Sequence, residues 1–150
     1  MRKVYRISKC MYIEDLKGTG AANYAGRWHS KGTYILYTAA TASLALLESV
    51  AHIAGIPADD YCMLCIEIPE DNILTISIKD LPENWYANPS PGSLTAIGDY
   101  FVRKNQYLAL QLPSAIMPED YNILINPGHK DFEKTKVLYK RVIPIDRRLL

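Results

Sequence analysis

The stretch Gly26-Arg27-Trp28-His29-Ser30-Lys31-Gly32-Thr33-Tyr34-Ile35-Leu36-Tyr37 runs from a glycine-bounded polar loop into a short apolar strand. Just beyond it the apolar period changes. Thr38 or Thr41 can cap a helix running to about Ala54, with Gly55 and Pro57 stopping it. Upstream, residues 3–8 read as a first strand. Residues 17–32 read as a long polar loop, which in a compact domain calls for a functional reason. Downstream, residues 61–68 and 73–78 read as strands parted by Pro69-Glu70-Asp71-Asn72, and residues 82–91 as turn-rich and irregular. Ser93 can cap a second helix with Leu94, Ile97, Phe101 and Val102 on one face. Residues 107–112, 121–126 and 136–145 supply the last strands. Six or seven strands and two main helices, not strictly alternating, predict an α+β fold rather than a doubly wound parallel sheet.

The 150 residues are enough for one real core and too few for two, so residues 1–150 are expected to form a single domain. A net charge of +1 offers no broad footprint for nucleic acid or anionic lipid. The apolar runs are shorter than a membrane span. The opening Met1-Arg2-Lys3-Val4-Tyr5-Arg6 enters a strand pattern without a signal-peptide core. The expectation is a cytoplasmic protein with no membrane and no direct nucleic-acid partner. Three cysteines point the same way, since an odd, low count is not a disulfide framework. Cys62 and Cys65 form a C-x-x-C spacing, but in a strand positions three apart face opposite sides. That weakens the metal and redox readings, and no second pair completes a zinc site. Structural thiols and no metal are expected.

Four side chains carry the chemical interest. Arg27 is either a surface arginine or an anion grip, and a guanidinium holds phosphate oxygens in a fork that lysine cannot copy. Trp28 reads as a core anchor holding the loop down. Tyr37 ends the strand pattern. It is either a half-buried strand tyrosine or a ring for a flat heterocycle, with its hydroxyl near a sugar or phosphate. Glu48 interrupts an apolar helical run, with Leu44 and Ala51 on its face. A carboxylate facing the core side needs a partner or a ligand, and a surface pair with His52 at i+4 is the plain alternative. Ser114 follows Pro113 at a strand end. No G-x-S-x-G surrounds it, so it is cast as a positioning hydroxyl rather than a nucleophile. Asn126 and His129 can form an Asx-type turn.

Taken in order, Gly26-Arg27-Trp28, Gly32, Tyr37, Glu48, Pro113-Ser114-Ala115, Asn122, Asn126-Pro127 with His129, and Asp146-Arg147-Arg148-Leu149 resemble the RES-domain family. These are the NAD-consuming toxins of bacterial toxin–antitoxin pairs, and the match covers nearly the whole chain. Ala25 stands where many members carry a second glycine, and His29 where asparagine is usual. The resemblance implies an ADP-ribosyltransferase-like fold, with two small antiparallel sheets flanked by helices and a cleft for NAD. It implies NAD⁺ as substrate, cleaved at the nicotinamide–ribose bond by hydrolysis or phosphorolysis. ADP-ribosylation of a protein target and an idle nucleotide-binding module are the alternatives. Arg27 would hold the pyrophosphate, Tyr37 would border the nicotinamide, Glu48 would stabilise the sugar cation, and Ser114 would orient the ribose or the amide. Asn126 would join the NAD-binding set. The implied partner is an Xre-type helix-turn-helix antitoxin, which leaves room for a homo-oligomer within the antitoxin complex.

Overall fold

The computed structural model describes residues 1–150 and gathers seven strands into one sheet. In chain order the elements are β1 (Arg2–Lys9), α1 (Thr19–Asn23), β2 (Leu36–Ala39), α2 (Ala42–Val50), β3 (Tyr61–Ile68), β4 (Ile73–Thr75), α3 (Thr95–Lys104), β5 (Ala109–Pro113), β6 (Tyr121–Ile125) and β7 (Lys136–Ile143). The sheet order is β4-β5-β6-β2-β1-β3-β7. All pairs are antiparallel except β4–β5, which run parallel. The α+β expectation therefore stands, but the expectation of two small antiparallel sheets gives way to one mixed sheet. The reason lies in β2. It pairs along its whole length with β6, from Leu36↔Ile125 to Ala39↔Asn122, yet meets β1 at the single register pair Tyr5↔Ala39. Two halves are thus sewn together at one narrow seam.

Alternation along the strands sorts side chains onto two faces. On one face, Val4, Leu36, Cys62, Leu64, Ile66, Ile68, Ile123 and Ile125 form a core cluster closed by Ile13. On the other, Trp28, Ile35, Leu110, Leu112 and Leu124 pack with Leu94 and Phe101 at and within α3. Beside them, at the seam, Ala39 and Tyr5 meet Leu44 and Ala45 of α2. The helix α2 starts where Thr41 accepts a hydrogen bond from the Leu44 amide at 3.1 Å, one of the two caps read from the sequence. It ends at Val50, earlier than expected, and Gly55 takes a left-handed φ of 73° in the turn that follows. Ser93 caps nothing; a single 3-10 turn at Gly92–Leu94 leads into α3 instead.

Three local expectations shift. The polar stretch 17–32 holds a short helix, α1. Tyr37 is the second residue of β2 rather than the last of a strand. Cys10 and Cys62 form a disulfide, against the expectation of three free thiols. Antiparallel register explains it: Ser8 faces Cys62 across β1–β3, and the chain continues from β1 with the Cys10 amide bonded to Asp60, so the two Cα atoms come within 4.8 Å. With a disulfide present, the cysteine count no longer argues for a reducing compartment. Cys65 stays free and buried on the opposite face from Cys62, against Tyr5, as the strand period required. No helix is long and apolar enough to cross a membrane.

Candidate active site

Glu48 projects from α2 over the strand ends beside the seam. Both carboxylate oxygens are held. The Ser114 hydroxyl donates to Oε1 at 3.1 Å, and the Asn122 side-chain amide donates to Oε2 at 3.1 Å. Ser114 in turn accepts from the backbone amides of Ile116 and Met117, each at 3.1 Å, which leaves its proton aimed at Glu48. A carboxylate gripped this way keeps its charge in a fixed place, with its remaining lone pairs free. Ser114 is fully buried, with its hydroxyl engaged by Glu48 and the Ile116 and Met117 amides. The His52 ring bonds the Glu48 backbone carbonyl, not its carboxylate, which removes the surface-pair alternative.

Asn122 had no role assigned from sequence. The available signal was period two: Asn122 lies on the same face of β6 as Leu124, a polar residue in an otherwise apolar row. Its register partner is Ala39, which packs against Leu44 and Ala45 of the helix that carries Glu48.

Arg27 is half-buried, and its Nη1 donates to the carbonyls of Trp85 at 2.7 Å and Ala87 at 2.9 Å. The Nε–Nη2 edge makes no hydrogen bond to the protein, so the side that grips oxyanions in a fork is open. Desolvation lowers the Arg27 pKa, and the negative charge of Glu48 opposes that shift, which places the cation within electrostatic reach of the carboxylate. Trp28 is the core anchor expected, packed 6.4 Å from the Trp85 ring.

Tyr37 shares a sheet face with Ala39. Its hydroxyl donates to His29 Nδ1 at 2.6 Å. His29 Nε2 carries the ring proton, because it faces two acceptors, the carbonyls of Ala21 at 2.7 Å and Tyr24 at 2.8 Å. The Tyr37 hydroxyl proton is therefore committed to His29, and what the residue has left for a ligand is its ring and an oxygen lone pair that can accept. Burial drives the phenol well above the ordinary tyrosine range, so it stays a neutral donor. Gly26 makes this lock possible, since a Cβ there would lie 2.7 Å from the His29 ring.

Asn126 does not join the group. Its amide donates to Asn105 and its carbonyl oxygen accepts from Gly128, the Asx-type turn alternative. It leaves the far end of β6, about 13 Å along the strand from Asn122 at the usual rise per residue. There it borders a cavity of about 830 Å³, which Lys31, Asp99 and Arg103 also line and which includes none of Arg27, Glu48 or Ser114. His129 is likewise structural, accepting from the Asp131 amide.

Comparison with known proteins gives a consistent picture. The family model described as "RES domain" matches residues 3–147. The chain is 38% identical to the Toxin Res of Photorhabdus laumondii, over 98% of this chain and 96% of that one. It is 33% identical to the Prs ADP-ribosylating toxin of a Sphingobium species, over 91% of this chain and 88% of that one. Its fold is similar to that of a chain in the crystal structure of the M. tuberculosis MbcT–MbcA toxin–antitoxin complex. The TM-score is 0.73 at 13% identity, over 96% of this chain and 85% of that one.

Proposed function

The chain belongs to the RES-domain family, and we propose that it is a toxin that destroys NAD⁺ by breaking the nicotinamide–ribose bond. The observation that carries the reading is the Glu48 carboxylate, held at both oxygens within electrostatic reach of an arginine whose forked edge is open. Breaking this bond needs little acid help. The C1′–N electron pair leaves with nicotinamide, which departs neutral, and the ribose is left as a cation. A fixed carboxylate beside that carbon stabilises the charge as it forms. Arg27 would hold the pyrophosphate, and the Tyr37 ring would border the nicotinamide in an ADP-ribosyltransferase-like cleft. Water attacking C1′ and losing a proton completes a hydrolysis. Phosphate attacking the same carbon completes a phosphorolysis. The reaction needs no metal, and NAD⁺ is substrate rather than resident cofactor.

A second reading has a specific observation behind it: the Sphingobium relative is named an ADP-ribosylating toxin. A protein side chain would then replace water as the acceptor. One experiment separates these outcomes. Purified chain is incubated with NAD⁺ labelled in the adenylate, with and without excess phosphate, and with a bacterial lysate. Free ADP-ribose indicates hydrolysis, ADP-ribose 1″-phosphate indicates phosphorolysis, and label fixed on protein indicates transfer. Glu48→Gln is the control and should lose nicotinamide release by on the order of a hundredfold or more. A folded wild-type chain that releases no nicotinamide under any condition sinks the reading.

A further inference from the structure

We propose, resting on the NAD⁺ reading above, that Tyr86 forms the stacking face for the adenine base and so sets the preference for a dinucleotide over a mononucleotide. Arg27 Nη1 is bound by the carbonyls on both sides of Tyr86, those of Trp85 and Ala87. The aromatic residue is therefore flanked on both sides by the backbone that holds the cation proposed to bind the pyrophosphate. Tyr86 as a residue is 61% exposed, although it lies beside a tryptophan that is 3% exposed. The two rings meet edge to face, 5.9 Å apart at 81°. Trp85 is itself packed on Trp28, the neighbour of Arg27 in sequence. Tyr86 is thus an open ring on a braced mount. A tyrosine has few side-chain torsions to freeze, so it can bind a flat ligand at small entropic cost. Tyr100, another exposed tyrosine, already has its ring covered by Arg103 and Lys104, at 5.4 and 5.6 Å. In a dinucleotide the adenine lies one ribose away from the pyrophosphate, on the side away from nicotinamide. The nicotinamide end belongs to Glu48 and Tyr37, which leaves the Tyr86 side of Arg27 for the base.

The test is calorimetric titration of the full chain with two probes, ADP-ribose, which has the adenine, and nicotinamide mononucleotide, which does not. Tyr86→Ala should weaken ADP-ribose binding about tenfold, as loss of one base–aromatic stack does. It should leave nicotinamide mononucleotide unchanged, and Tyr86→Trp should keep the wild-type affinity for both. Equal ADP-ribose affinity in Tyr86→Ala and wild type would overturn the inference. So would a parallel loss for both probes, because that is what a residue merely supporting Arg27 would do. Neither titration requires turnover, so a chain that binds ADP-ribose through Tyr86 yet leaves NAD⁺ intact would defeat the proposed reaction and not this subsite.

Discussion

At the scale of single residues, the geometry around Glu48 and Arg27 yields graded expectations. Asn122→Ala removes one of two hydrogen bonds to a charged group. Such a bond contributes roughly 1.5–3 kcal/mol, so kcat should fall about ten- to a hundredfold with KM nearly unchanged, read from steady-state NAD⁺ consumption. Arg27→Lys should do the reverse and raise KM for NAD⁺. Lysine keeps the charge but cannot bind the two carbonyls of Trp85 and Ala87 while presenting a fork. An unchanged KM would place the pyrophosphate elsewhere. Asp99 offers a pH test. Burial raises its carboxyl pKa, but hydrogen bonds from Ser30 and Thr33 outweigh that and hold it below the ordinary value. A depressed carboxylate stabilises the fold above its unfolded pKa, about 4, and that contribution disappears as pH falls through the lower folded value. Wild type should therefore be more stable than Asp99→Asn at neutral pH, and the two melting temperatures should converge as pH drops below about 4.

At the scale of elements, α3 is held against the Arg27 loop by an absent side chain. A Cβ on Gly98 would sit 2.0 Å from the Trp28 carbonyl oxygen, so Gly98→Ala must push the helix and loop apart. Overpacking of this kind costs about 1–3 kcal/mol, a fall in Tm of several degrees for a domain of this size, and here it should also raise KM because Arg27 immediately precedes Trp28. Thermal melts and NAD⁺ kinetics on the same preparation check both effects. Such elements were largely readable beforehand. The strand at Tyr61–Ile68, the apolar face of α3 and the Thr41 cap of α2 all follow from local periods and capping chemistry. What could not be read depended on partners far along the chain. The disulfide needs the β1–β3 register, the Asn122 contact needs β6 laid beside β2, and the Arg27 tether needs the irregular turn at Trp85. The chemistry-bearing types Arg27, Glu48 and Ser114 were visible as residues out of keeping with their surroundings. That Ser114 is buried against Glu48, and that Asn126 serves a turn, required coordinates.

On the scale of the whole molecule, the proposed NAD⁺ destruction would have to be restrained in the host, and we propose an Xre-type antitoxin occupying the Arg27–Glu48 site as that restraint. Expression of the chain alone in bacteria should lower cellular NAD⁺ and arrest growth, with Glu48→Gln harmless. Normal growth with folded wild-type protein would refute the toxin role. The disulfide adds an architectural consequence. Cys10 and Cys62, 52 positions apart in sequence, close a ring, and Arg27, Tyr37 and Glu48 all lie inside it, while Ser114 and Asn122 lie outside. The ring behaves as a key fob clipped shut. A protease that cuts once at an exposed point such as Tyr24 opens the circle without releasing a fragment. Singly nicked protein should therefore run as one species on a non-reducing gel and separate into two once a thiol is added. Until then, both cut ends remain fastened to the same sheet.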